Sequence, residues 1–321
     1  MAGAPASRVV VYAALAGNGA VAIVKFLAAF WTGSSAMLSE AIHSTVDTAD
    51  QCLMLYGLKR AQRPPDDAHP LGHGRELYFW SFTVALLIFT LGAGLTGYEG
   101  VQHMLNPHPL SDPIVSYVVY GAAAIFEGIS WTFALSEFRK AKGELGYIEA
   151  MVQSKDPPTF IVLFEDSAAL IGLAIAAAGT FAAETFEMPV LDGVASIGIA
   201  AVLGVTALVL ARESKGLLLG EAASPELRDA VMRTVRETDG IERAQIAFSV
   251  HMSPHQVVIA LSLEFRDDMI ANDIEAAVDR LEARIQERHP EVLAVFVKPE
   301  HRTDPVILPG RFPARARRRT G

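Results

Sequence analysis

The sequence predicts an α-helical membrane protein with six spanning helices, followed by a smaller α+β domain. Three observations support this prediction. Hydrophobic residues make up 51% of the 321 residues, and the mean hydropathy is +0.30. The apolar residues are concentrated before residue 212, whereas the remainder is rich in charge. Lys and Arg are absent from three long intervals, 26–58, 76–138 and 156–211.

Six apolar stretches are each long enough to cross a bilayer, which takes about 20 residues in a helix. They are 9–31, 36–58, 77–104, 112–138, 158–183 and 189–211. The third stretch is long enough to tilt or to extend beyond the hydrocarbon core. A soluble protein with buried helices is the rival interpretation, and the length and apolarity of all six stretches disfavour it.

The distribution of basic residues predicts the orientation. The connections after the first, third and fifth stretches carry no Lys or Arg. The connections after the second and fourth carry Lys59, Arg60, Arg63, Arg75, Arg139, Lys140, Lys142 and Lys155. Cytoplasmic loops of membrane proteins are enriched in Lys and Arg. We therefore expect a multi-pass protein of the cell (inner) membrane with both termini in the cytoplasm.

Composition also excludes several classes of protein. The net charge of −9 does not favour binding to nucleic acid. A single cysteine, Cys52, excludes an internal disulfide framework and a zinc site made of cysteines only. The His-Glu-x-x-His motif of zinc proteases is absent from the sequence. We therefore do not expect an enzyme, and no cofactor is predicted.

The second stretch carries an unusual polar face. Glu40, His43, Asp47 and Asp50 follow a 3-4-3 spacing, which places them on one face of a helix. Ionisable side chains at membrane depth are costly and commonly mark an ion pathway. An imidazole and a carboxylate on one face provide half of a metal site. The pattern indicates a cation carrier.

The fifth stretch carries a second pair of acids, Glu165 and Asp166. If the second and fifth helices pack together, His43, Asp47 and Asp166 converge on one cation. Nitrogen and oxygen ligands suit divalent metals such as zinc, iron or manganese. Protons would compete for the same groups, because these ligands bind metal only when deprotonated. Glu165 points about 100° away from Asp166 and is either a fourth ligand or an acid on the packing side.

The loop between the second and third stretches contains a further set of candidate ligands. Asp66, His69 and His73 are spaced by three and four residues, and Gly72 and Gly74 permit a tight turn. This arrangement is able to chelate a metal. An ordered loop whose histidines cap helices fits the same spacing.

The C-terminal part is predicted to fold as helix 224–238, strands 241–251 and 256–266, helix 270–289 and strand 292–298. Ser224 before Pro225 is typical of a helix N-cap followed by Pro at the first helical position. The domains are therefore expected at 1–212 and 213–300, with a basic, disordered tail at 301–321.

These residues together resemble the cation diffusion facilitator family over most of the chain. Ser39-Glu-Ala-Ile-His43-Ser-Thr-Val-Asp47 is similar to the second-helix motif H/D-x-x-x-D, and His69-Pro-Leu-Gly-His73-Gly is similar to H-P-x-G-H-G. The resemblance implies a homodimer that exports zinc or a similar divalent cation in exchange for protons. It implies a transport site at His43, Asp47 and Asp166, and a second site at Asp66, His69 and His73.

One position departs from the family pattern. Val162 stands where zinc transporters of the family carry the His of a fifth-helix H-x-x-x-D motif. This is similar to a divergent branch that includes the mitochondrial zinc carrier of animals. Zinc remains the first candidate, with Fe²⁺, Mn²⁺ and Co²⁺ as alternatives, since the site has more oxygen character. The missing ligand also leaves open a non-transporting partner, or a metal-responsive scaffold, of a competent paralogue.

The order αββαβ of the C-terminal part resembles the family's ferredoxin-like domain. The resemblance implies that residues 213–300 form a cytoplasmic dimerisation domain.

Overall fold

The structure is a computed structural model that describes residues 4–32, 35–107 and 113–300. The tail at 301–321, predicted to be disordered, lies outside the described residues. The side chains at 4–7, 28, 29, 31, 32, 35–43, 113 and 148 also lie outside them. Two units are distinguished along the chain, Met1–Leu219 and Gly220–Gly321. The boundary expected at 212/213 falls within the last helix of the first unit.

Helices make up most of the described part of the first unit, and every predicted apolar stretch is helical, the third as two helices joined by a π-helical segment. They are α1 (Ala4–Thr32), α2 (Ser35–Arg60), α3 (Glu76–Leu87), α4 (Gly94–Leu105), α5 (Pro113–Lys142), α6 (Tyr147–Gln153), α7 (Pro157–Thr185) and α8 (Val190–Leu219). The short helix α6 lies in the connection between the fourth and fifth stretches and was not predicted.

Five segments are long and apolar enough to cross a membrane: Arg8–Leu27, Glu76–Leu105, Ile114–Lys142, Pro157–Thr185 and Val190–Leu219. Helix α2 has the length but not the apolarity, because its polar face lowers its hydropathy. The described residues therefore contain five apolar spans, and the sixth span predicted at 36–58 is a helix of mixed polarity.

The third apolar stretch is not a uniform α-helix. A π-helical segment, Ile88–Ala93, joins α3 to α4, and the backbone of its flanking residues Leu87 and Gly94 is helical. The three segments therefore form one continuous rod with a wider turn in the middle. Such turns occur frequently near functional sites.

Glycine allows close approach of α4 and α8. A Cβ atom at Gly193 would lie 2.9 Å from the carbonyl oxygen of Gly100 and 2.9 Å from the amide nitrogen of Met104. A Cβ atom at Gly100 would in turn lie 3.0 Å from the carbonyl oxygen of Gly193. The two backbones are thus in direct contact, which is the packing that small residues permit between membrane helices.

The second unit contains a three-stranded sheet with two helices. Its elements are α9 (Pro225–Arg236), β1 (Ile241–Ser253), β2 (Gln256–Phe265), α10 (Ala271–Arg288) and β3 (Val292–Pro299), which confirms the predicted order αββαβ. Strand β2 is central, antiparallel to β1 and parallel to β3. The hydroxyl of Ser224 accepts a hydrogen bond from the amide of Leu227, so the predicted N-cap is confirmed.

The core of the second unit lies between the helices and the central strand. Ile259 and Leu261 of β2 are fully buried, as are Leu281 and Ile285 of α10. Burial of each such side chain stabilises the fold by about 1.5–3 kcal/mol. This unit therefore has a hydrophobic core of its own.

Candidate metal sites

Helix α2 carries the first group of acids. Asp47 and Asp50 lie three residues apart and therefore project from the same side of the helix. Asp47 is partly buried, and Asp50 is 1% exposed. His43 belongs to the same helix, but its side chain lies outside the described residues. Its role as a ligand stays a prediction.

Helix α7 carries the second group. Glu165 and Asp166 are adjacent and both buried, at 8% and 1% exposure. They meet different partners, as the angle between neighbouring helical positions requires. Gln51 Nε2 donates a hydrogen bond of 2.9 Å to Glu165 Oε2, and Ser130 Oγ donates one of 2.7 Å to Asp166 Oδ2. Helix α7 is thereby joined to α2 on one side and to α5 on the other.

The structure brings together three carboxylates between α2 and α7. One oxygen atom each of Asp47, Asp50 and Glu165 lies within 4.8 Å of the other two, close enough for all three to hold one cation. Asp166 is not a member of this group among the described residues. Asp47 is nevertheless near enough to interact electrostatically with Asp166. Asp47 is therefore close to both acids of α7.

Three polar residues of this region were not assigned roles from the sequence. Asp50 was recognised on the polar face of α2 but not as a ligand, and Gln51 and Ser130 were not singled out. The 3-4-3 spacing was the signal for Asp50. The partners of Gln51 and Ser130 lie 114 and 36 residues away along the chain, so no local pattern reveals them.

Val162 and Lys25 lie in the same helical unit as these acids. Val162, where the family pattern has an imidazole, is fully buried within the hydrophobic core of the helical unit. Lys25 of α1 is buried, and its Nζ donates a hydrogen bond of 2.8 Å to Ser44 Oγ of α2. Lys25 also interacts electrostatically with Glu127 of α5. A buried cation thus accompanies the acids of this region.

The loop between α2 and α3 brings together its three predicted ligands. His73 Nε2 lies 2.9 Å from Asp66 Oδ2, and His69 Nδ1 lies 3.2 Å from Asp66 Oδ1. The two imidazole rings have their centroids 4.2 Å apart. Ligand atoms from all three residues lie within 4.8 Å of one another. The histidines therefore face the aspartate, an arrangement suited to a divalent metal.

The loop keeps Asp66 ionised. The hydrogen bond from His73, followed by the backbone hydrogen bond from His69, lowers the pKa of Asp66 from 3.8 to about 2. Gly72 has a φ of +81°, a conformation that glycine adopts without strain. The tight turn at Gly72 therefore places His69 and His73 on the same carboxylate.

The ends of the loop are tied together at the start of α3. Arg60 donates two hydrogen bonds to Glu76 Oε1, of 2.7 Å from Nη2 and 3.1 Å from Nε. Trp80 Nε1 donates one of 2.9 Å to Glu76 Oε2. The last residue of α2 and the first residue of α3 are thus held together, which limits the freedom of the loop ligands.

Comparison with known proteins agrees with this pattern of helices and acids. Residues 11–219 match the cation efflux transmembrane domain, and the chain therefore belongs to the cation efflux (cation diffusion facilitator) family. Together with the apolar spans, this makes it a multi-pass membrane protein.

Three relatives illustrate the range of similarity. The proton-coupled zinc antiporter SLC30A9, mitochondrial, of Xenopus laevis is 30% identical over 323 residues, covering 88% of this chain and 58% of that protein. The human protein of the same name is 31% identical over 324 residues, covering 88% and 57%. The cation-efflux pump FieF of Cronobacter sakazakii is 25% identical over 269 residues, covering 84% of each.

The chain thus spans less than two thirds of the length of the two antiporters. All three relatives bear the names of transporters, not of enzymes. The similarity to the antiporters agrees with the predicted divergent branch of the family.

Proposed function

We propose that this protein exports divalent metal cations from the cytoplasm in exchange for protons, with zinc as the first candidate. Family membership supports metal efflux. The names of the antiporter relatives support zinc and proton coupling.

The observation that carries the proposal is the set of buried carboxylates between α2 and α7. Asp47, Asp50, Glu165 and Asp166 lie in a bundle of mostly apolar helices. Carboxylates buried close together repel one another unless a cation or a proton lies between them. Metal and protons therefore compete for the same oxygens, and this competition couples their movement in opposite directions.

We assign the transport site to His43, Asp47 and Asp166, with Glu165 as a candidate fourth ligand. A neutral imidazole and two carboxylates balance the charge of one divalent cation. The hydrogen bond from Ser130 supports this assignment, because it orients Asp166 and leaves Oδ1 without a partner among the described residues. Fe²⁺, Mn²⁺ and Co²⁺ remain alternative substrates, since Val162 supplies no imidazole.

The loop ligands Asp66, His69 and His73 form a second proposed metal site. Their geometry supports this, because both imidazoles face one ionised carboxylate. The proposed position is cytoplasmic, next to the basic residues at the end of α2.

The number of spans depends on α2, and the proposed orientation depends on the basic residues at the helix ends. Helix α2 crosses the membrane in addition to the five apolar spans, which gives six spans. Its polar face is turned toward the acids of α7 and away from lipid. Lys59 and Arg60 end α2, and Arg139, Lys140 and Lys142 end α5. By the positive-inside rule, these ends face the cytoplasm, and so do both termini. The membrane is the inner cell membrane.

The second unit is proposed to be a ferredoxin-like dimerisation domain in the cytoplasm. Its αββαβ order and its own core support this. The transport unit, the dimerisation domain and the basic tail are those expected at 1–212, 213–300 and 301–321, with the first boundary moved to the end of α8 at Leu219.

Transport into inverted membrane vesicles tests the function. With a pH gradient, we expect Zn²⁺ uptake by the wild type and at least tenfold slower uptake by Asp47→Ala and Asp166→Ala. Glu184→Gln, which changes an exposed carboxylate near the end of α7, serves as the control and should retain the wild-type rate. Unchanged uptake in Asp47→Ala or Asp166→Ala would contradict the assigned site.

The second candidate function is that of a non-transporting partner or metal-responsive scaffold. It is favoured by Val162, which is buried in the core and has no ligand atom at the position where the family's fifth helix carries an imidazole. This function predicts negligible flux in proteoliposomes and copurification with a transporting paralogue. Robust flux by the purified homodimer would exclude it.

A further inference from the structure

Asp50 is the most deeply buried carboxylate of α2 that the structure describes. It is 1% exposed, and neither of its oxygens has a hydrogen-bond partner among the described residues. A buried carboxylate without a partner costs more free energy than a buried polar group that is satisfied. The position therefore requires a positive charge or a proton.

The neighbours of Asp50 include two further carboxylates. Asp47 and Glu165 each offer an oxygen within 4.8 Å of Asp50, and Glu165 Oε1 and Gln51 Oε1 are also buried without partners. The amide group of Gln51 donates to the other oxygen of Glu165 and so directs that side chain toward α2. Three carboxylates thus lie close together, and among the described residues no cationic side chain is paired with Asp50.

The position shares Asp47, and the candidate fourth ligand Glu165, with the proposed transport site and is displaced from it at Asp50. Asp50 follows Asp47 by three residues, which is about 4.5 Å along the axis of α2. That displacement leads toward Lys59 and Arg60, the end proposed to be cytoplasmic. Glu165 precedes Asp166 along α7 in the same sense, because α7 begins at Pro157 after a connection carrying Lys155.

We propose that Asp50 and Glu165, with Asp47 shared, form a second intramembrane position for a divalent cation. It lies on the cytoplasmic side of the transport site and loads that site through Asp47. The role as a loading position depends on the proposed transport function, whereas cation binding does not. Gln51 is a positioning residue, which acts through Glu165.

The ligand chemistry separates this position from the transport site. All three ligands are carboxylate oxygens, which favour Mn²⁺ or Fe²⁺ relative to a site that includes an imidazole. A cation there is held by charge and is expected to bind metals with little discrimination. Selection among metals would then take place further along α2, where His43 is proposed to contribute, about one turn beyond Asp47.

Binding of Mn²⁺ to the purified full-length protein tests the proposal. All variants carry His69→Gln and His73→Gln, so that the loop ligands do not contribute. Free Mn²⁺ is measured by its electron paramagnetic resonance signal. We expect Asp166→Asn to retain one bound Mn²⁺ per chain, and Asp50→Asn combined with Asp166→Asn to bind at least tenfold more weakly.

Two further variants distinguish the loss of a metal ligand from the loss of a nearby negative charge. Glu127→Gln removes another buried carboxylate that interacts with Asp47 and Asp166, and should change the affinity less than threefold in the Asp166→Asn background. Glu165→Gln should reproduce the effect of Asp50→Asn. Comparable melting temperatures show that the variants are folded.

The proposal is overturned if Asp166→Asn abolishes binding, or if Asp50→Asn has no effect in that background. It is also overturned if Glu127→Gln weakens binding as strongly as Asp50→Asn, since the effect is then one of charge. If the wild-type protein shows no Zn²⁺ transport while Mn²⁺ binding still depends on Asp50, the proposed function is refuted and the proposed cation position is not.

Discussion

Ser130 Oγ donates a hydrogen bond of 2.7 Å to Asp166 Oδ2, and both residues are 1% exposed. This bond joins α5 to the acid of α7 assigned to the transport site. It occupies one carboxylate oxygen and leaves Oδ1 without a partner among the described residues.

Replacing Ser130 by Ala should weaken metal binding without abolishing transport. A hydrogen bond to a charged group contributes about 1.5–3 kcal/mol, and part of that loss is recovered when Asp166 reorients toward the metal. We expect the metal concentration at half-maximal transport to rise about 3–30-fold, with the maximal rate less affected. Ser130→Thr, which keeps the hydroxyl, should restore most of the affinity. Equal effects of Ala and Thr would show that Ser130 acts through packing.

The pKa of Asp66 predicts the pH dependence of the loop site. Because that pKa is lowered from 3.8 to about 2, the carboxylate stays charged as the pH falls from 7 to 4. Loss of Zn²⁺ from the loop over this range is then not caused by protonation of Asp66.

Zn²⁺ binding in an Asp166→Asn background provides the measurement. Asp66→Asn should bind at least tenfold more weakly at pH 7. The weak binding that remains in a His69→Gln, His73→Gln double variant should change little between pH 7 and 6, where Asp66 is ionised even at its ordinary pKa of 3.8. A persistent pH dependence in that double variant would contradict the assignment.

Val162 predicts how metal preference can be changed. Val162 and Asp166 are four residues apart on one face of α7, so Val162→His adds an imidazole on the side of the predicted site. Imidazole suits zinc better than manganese, and the ratio of Zn²⁺ to Mn²⁺ transport should increase several-fold. Crowding of the core is expected to lower stability by about 1–3 kcal/mol. Val162→Thr is polar but lacks the imidazole and should leave the ratio unchanged.

The contact between Gly100 and Gly193 predicts a stability defect that depends on position. Gly193→Ala would place a methyl group 2.9 Å from two backbone atoms of α4, which requires the helices to separate. We expect a lower melting temperature, corresponding to about 1–3 kcal/mol. Gly121→Ala is the matched control, because its methyl group would meet nothing within 4 Å. The control should be neutral or slightly stabilising, since Ala favours helix. Equal melting temperatures would show that the helices yield easily.

Most of the helices and strands could be predicted because their signals are local. A long apolar stretch such as 189–211 leaves few alternatives to a helix, and the cap at Ser224 depends on neighbouring residues only. The close approach of Asp66, His69 and His73 could also be predicted, since they lie within eight positions of one another, whereas their role as ligands stays a prediction. Helix α6 was missed because seven residues carry too little periodicity to be recognised.

The grouping of the intramembrane acids could not be predicted in full. Which acid of α7 meets Asp50 depends on how α2 and α7 are rotated about their axes, and no local spacing encodes that rotation. Glu165 was therefore left between two roles, and Gln51 received none. The side chain of His43 lies outside the described residues, so the convergence of His43, Asp47 and Asp166 stays a prediction.

The π-helical segment Ile88–Ala93 helps to set which face of α4 packs against α8. A π turn accommodates one more residue than an α turn at nearly the same height. Deleting one residue there would turn the π turn into an α turn and leave the residues that follow at nearly the same rotation. Deleting one residue from the α-helical part of α3 would instead rotate everything after it by about 100°, and Gly100 would turn away from Gly193. The surplus residue is therefore a position at which this rod should tolerate a single deletion better than elsewhere along α3 and α4.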